Sequence, residues 1–387
     1  MHKDKYVFAQ LSSFLDRNKF NYIVRKYDGD KYVKHFTCWN QLLALMFGQL
    51  SNRESLRDLI VALDAHHSKC YHLGMGKNVS KSSLARANQD RDYHIFEEFA
   101  YYLVNEAREK RVYDIFKLGG NVYAFDSTTI DLCLSVFWWA KFRKKKGGIK
   151  VHTLYDVETQ IPAFFHITEA SVHDSTEMKE IPYESGSYYI FDRAYNHFKM
   201  LYKIHQIGAF FVVRAKKNLQ YQSIKWKRRL PKNVLSDVMI ELTGFYPKQY
   251  YPEHLRLVRY WDEQQKRELV FLTNAIHISA LQVAELYKNR WQVELFFKWL
   301  KQHLKIKKFW GTTENAVRIQ VYTAICTYCL VAIVQKDMRL ERSTYEVLQI
   351  LSISLTDKTH LRELFDKTKF QNVKDRFRLN EPKLFNF

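Results

Sequence analysis

The sequence predicts a mixed α/β fold: a β-sheet with helices on its faces, interrupted by an all-β insertion and flanked by helical regions at both ends. Three observations lead there. Apolar positions recur at spacings of three and four from residue 6 to 110 and again from Glu314 onward, the pattern of one buried helix face. Between Asn121 and Val213 short runs of strand-forming residues alternate with helical stretches. From Arg214 to Asn274, where Pro231, Pro247 and Pro252 fall, β-like text continues in runs such as HLRLVRYW and RELVFLTN.

The leader is helical because Trp39, Leu42, Leu43, Met46 and Phe47 line one face and Gly and Pro are sparse. Ser51 with Glu54 reads as a capping box, and Ser80 opens another helix after the turn residues Gly74, Gly76 and Asn78. The run NVYAF ends at Asp126. IKVHTLY (149–155) and PAFFHIT (162–168) follow, joined by a hairpin turn over Asp156 to Gln160. YYIF ends at Asp192, a helical stretch covers 197–207, and AFFVV (209–213) is a further strand. After the insertion, Ser279 with Gln282 starts a long helix expected to reach about Leu304.

Of 387 residues, 61 are Lys or Arg and 41 Asp or Glu, a formal charge of +20. A content of 47% hydrophobic residues supports packed cores and excludes a disordered basic tail, so the charge sits on folded surface and implies a polyanionic partner. The amino terminus lacks an apolar core of signal-peptide length, and the apolar stretch Val321 to Val334 reads as too short to span a bilayer. The expectation is a cytoplasmic protein with no membrane partner. Five scattered cysteines argue against a disulfide framework, and the Cys326/Cys329 pair falls in an apolar helical run, where core packing is expected.

Asp126 and Asp192 each follow a strand-forming run, in the similar texts AFDS and IFDR. A carboxylate at a strand's carboxyl end projects where loops leave room for a ligand, although an Asp there is also a common turn former. The long helix supplies a third carboxylate. At about 100° per residue, Tyr287, Arg290, Glu294 and Lys301 lie within a stripe of about 60°, flanked by Leu286 and Phe297 on one side and Trp291 and Leu295 on the other. If both flanks are buried, the charged stripe must face something specific, because unpaired buried charge is costly. An intrahelical Arg290–Glu294 pair accounts for two members of the stripe but not for Tyr287 or Lys301. Three carboxylates suit two hard divalent cations acting on a phosphodiester, with Arg290 and Lys301 on the phosphates. No GxxxxGK loop, GxGxxG after a strand, or GxSxG elbow competes.

The runs FDSTTIDLCLSVFWWAKFRKKKGGIKVHTLYD, IFDRAY and LYKNRWQVELFFKWLKQHLKIKKFWGTTENAVRIQ resemble the three conserved regions of bacterial transposases of the insertion-sequence-4 family. The family signature, Tyr, two residues, Arg, three residues, Glu, six residues, Lys, matches Tyr287, Arg290, Glu294 and Lys301. The resemblance covers about Asn121 to Val334, and the first 110 residues resemble the helical leader of one branch of the family. It implies a ribonuclease-H-like catalytic fold over 116–213 and 275–311, a β-rich insertion over 214–274, a helical DNA-binding leader over 1–115 and a helical carboxyl-terminal region over 312–387. It also implies Asp126, Asp192 and Glu294 as metal-holding catalytic residues for two Mg²⁺ ions, with Mn²⁺ as substitute. Tyr287, Arg290 and Lys301 are implied as contacts to the terminal phosphates. Cut-and-paste movement of double-stranded DNA through a hairpin, by a homodimer on DNA that is nucleoid-associated when bound, completes what the resemblance implies.

Three basic segments border these residues: Lys141 to Lys150, including Lys144 and Lys145; Arg214 to Lys232, including Arg228 and Arg229; and Lys298 to Lys308. Together they read as a DNA channel. Trp226 and Trp261 are expected in the core of the insertion, with stacking on an unpaired base as the other reading. Arg86, Asn88 and Gln89 on the helix after Ser80 have side chains suited to base edges. Two further functional classes share these features: a transposase-derived DNA binder without chemistry, and a structure-selective nuclease on the same fold.

Overall fold

The computed structural model describes residues 5–77, 79–110, 115–132, 135–143, 146–303 and 309–366. The leader contributes α1 (Val7–Ser12), α2 (Arg17–Lys26), α3 (Cys38–Leu50), α4 (Leu56–Ala65), α5 (Lys81–Asp90) and α6 (His94–Lys110). Side-chain caps fix where most of them begin: Asp16, Thr37, Ser55 and Ser80 each accept from the backbone N–H three residues on. The cap of α4 is therefore Ser55, not Ser51. The Ser51 hydroxyl instead donates back to the Phe47 carbonyl at the end of α3.

Ten strands then form one sheet: β1 (Val122–Leu132), β2 (Lys141–Arg143), β3 (Lys146–Asp156), β4 (Ile161–Glu169), β5 (Tyr188–Phe191), β6 (Phe210–Arg214), β7 (Tyr221–Trp226), β8 (Val234–Leu242), β9 (Leu255–Asp262) and β10 (Arg267–Thr273). Their order is β2-β3-β1-β5-β6-β10-β9-β8-β7, with β4 paired to β3. The β1–β5 and β5–β6 pairs are parallel and all others antiparallel. The helix α7 (Phe198–Gln206) makes the crossover from β5 to β6 that parallel neighbours require.

The segment 214–274 is not all-β, since α8 (Phe245–Tyr250) lies within it. Nor does it hang from the sheet: β10 hydrogen-bonds to β6, so the insertion extends the central sheet. Proline falls outside its strands, where no ladder N–H is needed.

Alternation along the central strands builds a core on each face. Val122, Ala124, Tyr188 and Ile190 pack against the helices of the leader and carboxyl-terminal region, whereas Tyr123, Phe125, Tyr189 and Phe191 join Leu201, Ile204, Ile240 and Leu257 on the other side. Then come α9 (Ala280–Asn289), α10 (Trp291–His303), α11 (Glu314–Asp337), α12 (Thr344–Ser354) and α13 (Leu361–Phe365). The expected capping box at Ser279 and Gln282 is present.

At 24 residues α11 is long and apolar enough to cross a membrane, contrary to the expectation from its central stretch, yet 94% of its apolar window is buried inside the protein. It packs on α3, α5 and α6, and its buried Thr327 hydroxyl donates to Gln49 of α3 at 2.9 Å. Cys326 and Cys329 are buried within this core. Leader and carboxyl-terminal helices thus share one continuous core.

Candidate active site

Strand register brings the two aspartates together. In the parallel β1–β5 pair Phe125 lies opposite Phe191, and Asp126 and Asp192 are the next residue on each chain. By alternation both carboxylates share the face of Ala124 and Ile190, the face covered by helices. Asp126 does not end its strand, as expected from NVYAF. It is the fifth residue of β1, which runs on to Leu132 because β3 continues to pair with it, Asp126 opposite Thr153. What stops at Asp126 is the parallel neighbour, and the missing strand opens the sheet there.

The expected long helix is two. Its hydrogen bonding tightens at Arg290, whose N–H reaches the Tyr287 carbonyl and whose carbonyl receives the Val293 N–H, both three residues away. The break divides the charged stripe between partners. The Tyr287 hydroxyl donates to Asp192 Oδ1 at 3.0 Å. Arg290 donates through Nη1 to Asp126 Oδ2 at 2.6 Å and through Nη2 to Glu294 Oε1 at 2.5 Å. Lys301 Nζ donates to the Thr129 carbonyl at 2.8 Å, further along β1.

Only one flank of the stripe is buried. Leu286 and Phe297 are inside, but Trp291 is 57% exposed and Leu295 also faces solvent. The expectation of apolar burial on both sides is corrected accordingly: this side of α10 borders open space.

Burial pushes the Asp126 carboxyl up to about 6, with the Arg290 charge opposing that and Glu294 and Asp192 adding to it. Burial alone would lower the Arg290 pKa, and the surrounding carboxylates outweigh it and hold it high. Tyr287 is pushed up to about 12, by burial first and then by Asp192, so its hydroxyl stays a donor. A groove of about 440 Å³ exposes Asp126, Ser127, Glu294, Lys298 and Lys301 together.

Oxygen-only donors of this kind suit hard divalent cations. Among the described residues no three acidic, His or Cys side chains close around an ion as they stand. The Arg290 guanidinium lies between Asp126 and Glu294, where it offsets one of the three carboxylate charges, and its buried Nε has no hydrogen-bond partner. The oxygen donor set and the orphaned Nε fit a site completed by a cation and an anionic ligand.

Lys298 lines the groove, whereas Arg228 and Arg229 are exposed after β7 and do not line it. Lys144 and Lys145 lie outside the described residues, as do Lys305, Lys307 and Lys308 of the third basic segment. Trp226 and Trp261 are exposed, not core, because β7 is the edge strand and the Trp261 end of β9 lies at the rim of the sheet. Asn88 is buried and accepts from Gln41 at 2.7 Å, so it is withheld from any base edge, while Arg86 and Gln89 are exposed.

Two networks escaped the sequence reading. Asp174 accepts from the Ser127 hydroxyl at 2.7 Å and pairs with Lys150 at 3.0 Å, bracing β1 beside Asp126. Fully buried Arg256 pairs with Asp237 through Nε and Nη2 and donates through Nη1 to the carbonyls of Ala275 and Ile278, tying the insertion to the turn that launches α9. Sequence signals for both are weak, since each joins residues about 20 to 50 positions apart with no periodic relation.

The family model described as "Transposase DDE domain" matches residues 117–330, more than half of the chain, and a domain of unknown function (DUF4372) matches residues 3–76. A Sinorhizobium fredii protein named "Putative transposase y4zB" is 35% identical over 233 residues, 59% of this chain and 64% of that protein. A Geobacillus stearothermophilus protein named "Probable transposase for insertion sequence element IS5377" is 31% identical over 206 residues, 53% of this chain and 54% of that one. The chain thus spans less than two thirds of the length of these two relatives. A Synechocystis protein named "Putative transposase for insertion sequence element IS4SA" is 24% identical over 299 residues, 75% of this chain and 83% of its own length.

Proposed function

Because this chain belongs to the transposase DDE domain family, we propose that it binds the ends of an insertion sequence, cleaves them and joins them to target DNA by metal-dependent phosphoryl transfer. The observation that carries this reading is that Asp126 and Asp192 follow paired residues of parallel neighbouring strands, with Arg290 bridging Asp126 and Glu294.

Asp126, Asp192 and Glu294 are the residues that would hold two Mg²⁺ ions, with Mn²⁺ as a substitute. Bound divalent cations supply Lewis acidity at the scissile phosphate and lower the pKa of the attacking water. The chain's own groups do the rest. Tyr287 fixes Asp192 by its hydrogen bond. Arg290 screens the carboxylates, and its buried Nε has no hydrogen-bond partner. Lys298 and Lys301 line the groove beside Asp126, where they would hold the DNA backbone as point charges. In this reading a 3′-hydroxyl freed at each element end attacks the opposite strand to form a hairpin, which is reopened and joined to target DNA.

We further assign the core around β1, β5 and β6 to a ribonuclease-H-like catalytic unit (116–213 and 275–311), with the insertion at 214–274, a DNA-binding leader at 1–115, the terminal helices at 312–387, and a homodimer on DNA as the working form. Incubation of the protein with Mg²⁺ and a labelled duplex carrying the element end tests the reading. Nicks, hairpins and joined products are expected. Nicks alone would reassign the protein as a nuclease, and binding without cleavage as a DNA-binding derivative.

A further inference from the structure

On the face opposite the helical layer, α8 displays an aromatic patch that the active site does not use. Phe245 is 79% exposed, Tyr246 63% and Tyr250 44%. The Tyr246 and Tyr250 rings lie nearly parallel at 19°, and Phe245 meets Tyr246 edge-on. They form one wall of a cleft of about 540 Å³ whose other lining includes His197, Lys199 and Lys216 and no Asp or Glu. Three large rings standing in solvent are unusual for a soluble surface, and rings beside cations select for a partner with both π-faces and negative charge.

The cleft does not end there. Lys216 and Leu219 are shared with a second groove, which contains Arg193, Arg214 and Lys217. Its one acidic residue, Glu268, is paired with Arg259. Arg193 directly follows Asp192. A basic trough therefore runs from Arg193 and Arg214 to the aromatic patch. Duplex DNA presents base edges and phosphates, and its bases are already stacked, so exposed ring faces gain from nucleotides only when those are unpaired.

We propose that this trough binds unpaired nucleotides of a DNA strand, with phosphates along Arg193, Arg214 and Lys216 and bases on Phe245, Tyr246 and Tyr250. The inference rests on the DNA-processing reading above and adds a single-strand site to it.

Fluorescence anisotropy with labelled oligothymidylate and with a duplex of equal length tests it on the full chain. Phe245→Ala with Tyr246→Ala should weaken oligothymidylate binding roughly tenfold for each stacked base lost and leave duplex affinity unchanged. Because the rings are exposed, the melting temperature should not move. Lys216→Ala should reduce the log–log salt slope by about 0.7 for the single strand. Unchanged oligothymidylate affinity in the aromatic variant, or an equal loss for duplex, would overturn the proposal. Binding needs no cleavage, so failure of this site and failure of the active-site reading, scored on duplex ends, are read separately.

Discussion

Arg290 Nη1 donates to Asp126 Oδ2 at 2.6 Å, an ion pair between residues 164 positions apart. Both side chains are mostly buried, so each depends on the other for compensation of its charge. Arg290→Ala would strand the Asp126 carboxylate. A stability loss of about 3 kcal/mol is expected in urea denaturation, with loss of end cleavage. Arg290→Lys should recover part of the stability but little cleavage, because a single ammonium replaces a planar fork that reaches two carboxylates.

Asp126→Asn, Asp192→Asn and Glu294→Gln should each reduce Mg²⁺-dependent end cleavage at least roughly a thousandfold, the scale of several kcal/mol in the barrier, while binding to the same duplex survives. Cleavage at the wild-type rate by any one of them would remove that residue from the site. Chelation with EDTA should abolish cleavage by the wild type, and added Mn²⁺ should restore it.

The Asp237–Arg256 pair predicts coupling between the insertion and the site. Asp237→Ala would leave a fully buried guanidinium unpaired, at a cost of about 3 to 5 kcal/mol. Since Arg256 also holds the Ala275 and Ile278 carbonyls ahead of α9, cleavage should fall even at temperatures where the variant remains folded. A stability loss with undiminished cleavage would confine the pair to a structural role.

His152 sets a pH dependence of stability. Burial pushes its imidazole down to about 4, while an unfolded histidine titrates near 6.5. Between these values the unfolded chain binds more protons than the folded one, so this contribution is complete above about 6.5 and is lost as pH falls through about 4. The shift corresponds to about 3 kcal/mol. Denaturation midpoints measured across that window should drop steeply toward acid, and His152→Gln should flatten the curve.

Much of this protein is legible locally. Caps at Ser80 and Ser279 mark helix starts, the unbroken apolar runs VYAF and YYIF mark strands buried on both faces, and the spacing from Tyr287 to Lys301 puts four polar side chains in one stripe. These signals survive in the sequence because each depends on neighbours within a few residues. The surplus of Lys and Arg likewise needs no structure to imply a polyanion.

Tertiary structure alone decided the rest. Strand pairing, which has no fixed sequence distance, set Phe125 beside Phe191 and so put Asp126 next to Asp192. It also carried β1 six residues past Asp126 and fused the insertion to the sheet through β6. The hydrogen bonding tightens at Arg290, the residue whose guanidinium spans Asp126 and Glu294, and one expected helix becomes two. Which aromatic residues face solvent, as in α8, followed from edge position and packing, and hydrophobicity along the chain does not encode either.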